Sequence, residues 1–255
     1  MLANWLLVGI ILLIQDCPLV FFIISFKLLK MTDKYLNPWD ERNRLKLSQM
    51  AERKIERAKN PPRQHVITDS AKKRLPPGQE LTSKFPILDL GTQPNLSKSE
   101  WSLRCDGLLE YPTAWDWESF QQLPRSTLVS DIHCVTNWSR YDNEWHGVTT
   151  QDLVEIVKPL PEAKYVLIRS FDGYTTNLPI KDFLAEGAII ADHWEGKPLN
   201  REHGGPVRLV IPHLYFWKSA KWIRQIIFRK DEHKGFWEVR GYHNYGDPWK
   251  NQRFG

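Results

Sequence analysis

The amino-acid sequence predicts an α+β domain of mixed β-sheets and short helices, preceded by a helical N-terminal extension. From about residue 81 onward, short β-prone runs are interspersed with short helical stretches, the pattern of sheets and helices packed in layers. The chain also holds 12 Trp and 17 Pro, which favours a loop-rich, aromatic-rich fold over a helical bundle. Its 255 residues are 42% hydrophobic and 25% charged, close to globular averages and enough for a sizeable core. A disordered, collagen-like or polytopic membrane protein is thereby excluded. Three cysteines are too few, and odd in number, for a disulfide framework, so the expected compartment is reducing.

Residues 1–30 form an apolar first segment. Trp5 to Phe26 is long enough to span a bilayer, although Asp16 near its middle is unfavourable there. No positive n-region precedes it, while Lys27, Lys30 and Lys34 follow it, which keeps the following chain cytoplasmic by the positive-inside rule. The segment reads as a membrane anchor through residues 5–26 or as an extension upstream of a true start at Met31, with a cleaved signal as a third reading. The expected location is the cytoplasm, or the cytoplasmic face of a membrane. Residues 31–80 form a second unit. Asn37-Pro-Trp-Asp opens a helix near Asp40 with a ragged stripe of Leu45, Leu47, Met50, Ala51, Ile55 and Ala58, and Asn60-Pro61-Pro62 ends it. The Pro-rich stretch 61–80 is expected as a linker or surface-hugging arm.

The main domain is expected over residues 81–250. Phe85 to Leu90 is extended, Trp101 to Leu109 a strand, Trp115 to Gln122 a short helix, and Ser126 to Val135 a strongly β-prone run. Thr149 caps a helix with Asp152 in its first turn, reaching Val157 before Pro159. Tyr165 to Ser170 is a buried strand, Asp172-Gly173 a turn, and Ile180 to Glu186 a short helix capped by Gly187. Pro206 to Pro212 and Lys221 to Phe228 are the last strands.

The net charge of +5 is uneven: between Glu41 and Arg74 eleven Lys or Arg meet four acids, a local +7 that leaves the rest near −2. No nucleic-acid partner is therefore expected. The basic segment reads as a solvated helix face, or as one drawn to an anionic membrane surface.

Several chemistries are excluded by missing motifs. There is no GxGxxG, Walker loop, HExxH, CxxC, CxxCH or GxSxG. One constellation remains. Cys134 ends a β-prone run in Asp131-Ile-His-Cys-Val-Thr-Asn-Trp-Ser-Arg-Tyr, with His133, Arg140 and Arg169 as the expected cations around it. Such a thiol is driven toward thiolate, a nucleophile or a soft metal ligand. The alternative is a small buried hydrophobe. His133 is a poor catalytic partner, because adjacent strand residues face opposite ways.

The stretch Ser130 to Arg140, with His203-Gly-Gly-Pro-Val-Arg-Leu-Val-Ile-Pro and Tyr215-Phe-Trp-Lys-Ser-Ala-Lys-Trp-Ile further on, resembles the two signatures of the sulfite oxidase / molybdopterin-dependent oxidoreductase family, in that family's order. Arg74 to Gly91 is similar to the compact bacterial branch, and the resemblance covers about residues 75–250. It implies the sulfite oxidase-type molybdopterin-binding fold and a molybdenum–molybdopterin cofactor, without haem in this chain. Cys134 stands where the family's cysteine gives a thiolate to molybdenum. Arg208 matches an arginine at the pterin's phosphate, and Ser219, Ala220 and Lys221 match the loop that cradles it. Ser170 takes the place of a cofactor-bonding Thr, and His203 stands where some members carry Asn. Arg140 and Arg169 are candidates for an oxyanion pocket and Tyr141 for a hydroxyl near the metal; ordinary salt bridges and packing are the alternatives. The implied activity is oxygen atom transfer on a small oxo-anion or sulfoxide, with electrons exchanged with a separate partner. A non-catalytic module of the same fold and a basic membrane-surface adaptor are the competing readings.

Overall fold

The computed structural model describes residues 41–59 and 73–255. The apolar segment 1–30 and the Pro-rich stretch up to residue 72 lie outside the described residues. Among the described residues no helix is long and apolar enough to cross a membrane.

Two mixed sheets form the domain. The first is organised by β5 (Trp138–Thr149), which pairs with β1 (Glu80–Leu81), β4 (Ser126–His133) and β8 (Ile189–Trp194); β8 continues to β10 (Arg208–Val210) and the short β9 (Lys197–Pro198). The second runs β3 (Thr113–Asp116), β2 (Ser102–Gly107), β11 (Ile223–Arg229), β6 (Tyr165–Ser170), β7 (Thr175–Pro179). β1–β5 and β2–β11 are parallel, and the other pairs antiparallel. Strands β2 and β11 are apolar on the inward parity, Leu103, Cys105, Ile226 and Phe228 being fully enclosed in the main core.

The helices are short. Thr149 caps α3 (Thr150–Val157): its hydroxyl accepts from the Asp152 amide at 3.0 Å. The helix expected from Trp115 begins later. Residues 113–116 are β3, and Asp116 caps α2 (Trp117–Gln121) by accepting from the Ser119 amide at 2.9 Å. The helix expected to Glu186 stops sooner, as α4 (Ile180–Phe183). Phe85 to Leu90 runs without strand pairing.

The basic helix α1 (Glu41–Lys59) is not a freely solvated rod. Ala51 and Ala58 are buried in the domain core, and Ile55 packs against it. Met50 packs closely on Gly91, where a Cβ would lie 2.6 Å from the Met50 sulfur and push that flexible side chain aside. One face, Met50, Ala51, Lys54, Ile55 and Ala58, turns inward, while Arg53, Glu56 and Lys59 stay exposed.

Candidate active site

A tight turn follows β4. The Asn137 amide donates to the Cys134 carbonyl at 3.0 Å, and Asn137 holds φ +72, which asparagine tolerates better than most residues. The chain then reverses into β5. The turn is pinned from outside: the Gln79 amide donates to the Cys134 carbonyl at 3.1 Å, and the Arg253 guanidinium donates to the Val135 carbonyl.

Cys134 lines a cleft enclosing about 800 Å³ of empty space, part of it open to solvent. Its thiol meets the Thr136 hydroxyl at 3.1 Å. Burial pushes the thiol's pKa up, opposed by the Thr136 hydrogen bonds and then by the charges of Lys54 and Arg253. The expected driving of this thiol toward thiolate by His133, Arg140 and Arg169 is therefore corrected: burial outweighs the cations, and the cations come from elsewhere.

The structure brings Cys134, His203, Arg208, Ser219, Ala220 and Lys221 into this one cleft wall. Arg208 is buried, and its guanidinium donates to the carbonyls of His203 (2.8 Å), Ser219 (3.0 Å) and Leu209 (3.4 Å). It lies 4.3 Å over the Phe216 ring, and among the described residues no carboxylate pairs with it. Burial alone pulls its pKa down to about 9. Lys221 donates to the Glu202 carbonyl at 2.8 Å and stands 3.9 Å from Asp89. Burial and the Arg208 charge pull Lys221 to about 7, against the opposing pull of Asp89 and Asp172. His203 stacks on Phe85 at 4.0 Å, and its Nε2 lies 3.1 Å from the Phe85 carbonyl, which makes Nε2 the protonated nitrogen. Ser219 Oγ accepts from the Ile211 amide at 2.9 Å.

Four expected residues are not in this wall. Arg140 pairs with Glu195 at 3.1 Å and covers the Trp194 ring at 4.7 Å, the salt-bridge alternative. Tyr141 lies under Arg74, 4.4 Å from its ring centroid. Arg169 points to the exposed face of β6, near Gln225. The Ser170 hydroxyl is enclosed without a hydrogen-bond partner and does not reach the cleft lining. Strand parity explains Arg169, which alternates outward between Ile168 and Ser170. Conversely, Lys54 of α1, Asp89 and Asp172 line the cleft and were not marked by any motif. The signal for Lys54 was its place on the Ala51–Ile55–Ala58 face.

A buried thiol in one cleft with Lys221 and with Arg208, a buried guanidinium to which no carboxylate is paired among the described residues, suits an anionic cofactor carrying a thiolate-binding metal. Comparison with known proteins agrees. Residues 90–237 match the family described as oxidoreductase molybdopterin binding domain. The uncharacterized oxidoreductase YuiH of Bacillus subtilis (strain 168) is 50% identical over 182 residues, 71% of this chain and 92% of that protein. The protein-methionine-sulfoxide reductase catalytic subunit MsrP of Campylobacter jejuni is 28% identical over 60% of this chain and 57% of its own length. The sulfane dehydrogenase SoxCD of Paracoccus pantotrophus shares the fold, at TM-score 0.51 and 19% identity over 66% of this chain and 54% of that one.

The fold and the family match define a molybdopterin-binding oxidoreductase. The chain belongs to the oxidoreductase molybdopterin-binding family, and its cofactor is molybdenum–molybdopterin.

Proposed function

We propose that this protein transfers an oxygen atom to or from a small oxo-anion or sulfoxide, with the Cys134 thiolate bound to molybdenum. The observation that carries the reading is the shared cleft of Cys134, Arg208 and Lys221. The bound cofactor supplies two-electron redox chemistry and a site for the transferred oxygen. The remaining roles belong to the chain. Cys134 gives up its proton on metal binding, which overcomes the burial that keeps the empty thiol protonated. The turn Cys134–Asn137, clamped by Gln79 and Arg253, holds the sulfur in place. Arg208 and Lys221, with the backbone of Ser219 and Ala220, hold the phosphate end, where a forked guanidinium and an ammonium suit phosphate oxygens. Burial lowers the His203 pKa, helped by the charges of Arg208 and Lys221, while the bond to the Phe85 carbonyl orients the ring. The apolar wall of Phe216, Trp217 and Trp222 limits water near the cofactor.

Reduction of a sulfoxide consumes two electrons and two protons and releases a sulfide and water; oxidation of an oxo-anion runs the transfer the other way. The name of the MsrP relative favours a sulfoxide. The electrons pass to or from a separate partner. Anchoring through residues 5–26 would hold the enzyme at the cytoplasmic face of a membrane beside such a partner.

The test is metal and pterin content of the full chain from a cofactor-producing host. The wild type is expected to hold close to one molybdenum per chain by plasma mass spectrometry. Cys134→Ser is expected to retain pterin fluorescence and lose at least about 100-fold in turnover with a sulfoxide or sulfite. Folded wild-type protein without molybdenum or pterin would overturn the assignment.

A further inference from the structure

The outer face of the second sheet carries a row of side chains that the cleft does not use. Strand register sets Arg104 of β2 and Arg169 of β6 on either side of Gln225 of β11, with Ala114 of β3 and Thr175 of β7 completing the row toward the two edges. The neighbouring Cys105, Ile226 and Ile168 lie in the core, so the row faces away from it. Arg224 joins the row because the register shifts between Ile223 and Gln225, which turns two successive residues outward. Arg104 and Arg169 are exposed and Arg224 is half-buried. Arg104 and Gln225 share the Asp106 carboxylate at 2.7 and 2.6 Å, and Arg169 donates to Gln225 at 3.4 Å. Arg224 forms no hydrogen bond or ion pair with any described residue. Burial, and then the charges of Arg169 and Arg104, pull its pKa down. Three arginines thus meet one acid, in a chain that is near −2 outside residues 41–74.

The row is joined to the cleft. β11 follows Trp222 of the cleft lining, two residues before Arg224, and β6 runs toward Asp172 of the same lining, three residues after Arg169. The Phe171 amide donates to the Trp222 carbonyl at 2.9 Å and ties these strand ends together. The rise of a strand puts the Arg224 backbone within about 7 Å of that of Trp222. We infer that this arginine row is the docking face for the separate electron-transfer partner, a small protein that presents a cluster of carboxylates beside its redox centre. The inference rests on the proposed oxygen-transfer site, whose electrons such a partner exchanges. Guanidinium forks match carboxylates and shed water readily, which suits a transient protein interface. A lipid surface is the weaker fit: anionic bilayers are held by about four to eight basic residues on a juxtamembrane segment or amphipathic helix, and this row has three on strands.

The test uses the full chain in neutral detergent, with plant-type ferredoxin, an acidic one-electron carrier, as the probe. Calorimetry on the cofactor-free protein is expected to show binding at low salt that weakens at least about tenfold at about 0.3 M salt. Arg169→Gln with Arg224→Gln is expected to weaken low-salt binding about tenfold. Arg53→Gln with Lys59→Gln makes the same change of net charge on the exposed face of α1 and is expected to keep binding within about twofold. Neither Arg169 nor Arg224 is held by a carboxylate among the described residues, so the urea midpoint stays at the wild-type value. In the molybdenum-loaded enzyme, two reduced ferredoxins each give up one electron for every dimethyl sulfoxide reduced to dimethyl sulfide, with two protons drawn from solvent and one water released. That rate is expected to fall about tenfold in the Arg169–Arg224 variant, with turnover on reduced methyl viologen, a donor too small to need a docking face, unchanged. No ferredoxin binding by the wild type, equal weakening in both double variants, or equal slowing with both donors overturns the inference. Loss of binding to vesicles of phosphatidylserine and phosphatidylcholine in equal parts, with ferredoxin binding kept, assigns the row to a lipid surface and overturns it as well. Failure of the oxygen-transfer reading appears separately, as wild-type protein without molybdenum, and leaves the calorimetry unaffected.

Discussion

Lys221 sits half-buried between Arg208 and the carboxylates of Asp89 and Asp172, with its pKa drawn to about 7. Its unfolded value is about 10.4. Between about 7 and 10.4 the unfolded chain therefore holds the extra proton, and stability of the empty protein rises with pH across that window. An anion in the cleft acts the opposite way, because it favours the ammonium. Inorganic phosphate is expected to bind the cofactor-free protein more weakly as pH rises above 7. Binding near pH 8 should take up about one proton, read by calorimetry in buffers of different ionisation heat. Lys221→Met should remove the proton uptake. Lys221 was legible in the sequence because it belongs to a short contiguous motif with Ser219 and Ala220, as Arg208 does with His203. Lys54 was not. It is 80 positions upstream of Cys134, in a stretch whose composition speaks of solvent, and only docking of the helix brings it in.

At the scale of elements, the helix α3 shows where local chemistry suffices. The Thr149 hydroxyl accepts from the Asp152 amide and donates to the Asp152 carboxylate at 2.6 Å. Thr149→Ala is expected to cost about 1 kcal/mol, lowering Tm by about 2–4 °C in differential scanning calorimetry. Such signals lie within four residues and were readable in advance. The strand β5 was not readable, although it organises the first sheet. Its sequence Trp138-Ser-Arg-Tyr-Asp-Asn-Glu-Trp-His-Gly-Val-Thr lacks apolar alternation and carries turn-forming Asp142-Asn143. Ser139 and Asn143 are buried as polar residues, bonded to Gln79 and His133, and to Arg140 and the Ser130 carbonyl. Gly147 is required by the neighbouring strand, since a Cβ would lie 2.1 Å from the Ile190 carbonyl oxygen. The strand exists because three partners pair with it, an effect that no local window contains.

Across the whole molecule, one buried ion pair ties the wall of the cleft to the second sheet. Lys218 and Glu238 meet at 2.6 Å with no exposure of either side chain. Glu238 also accepts from Thr176 of β7 and from Trp217, while Lys218 donates to the Asn177 carbonyl and side chain. Lys218→Met leaves a buried carboxylate without its cation. The expected loss is about 3–5 kcal/mol in urea unfolding, larger than for any surface charge. Replacing both with apolar residues of similar size should recover part of it, as a smaller shift of the midpoint.

Arg253 has a further consequence in time. Its contact with the Val135 carbonyl spans 118 positions, and its contact with Gly78 spans 175. Closing loops of that length is slow and entropically unfavourable until much else is in place. A chain emerging from the ribosome can build β4 and β5 early, yet the turn that carries Cys134 acquires its clamp only after residue 253 has been added. On the proposed role of Cys134 as the metal's thiolate ligand, metal insertion would follow synthesis, since a nascent chain stalled short of that point would present the Cys134 turn without its Arg253 clamp.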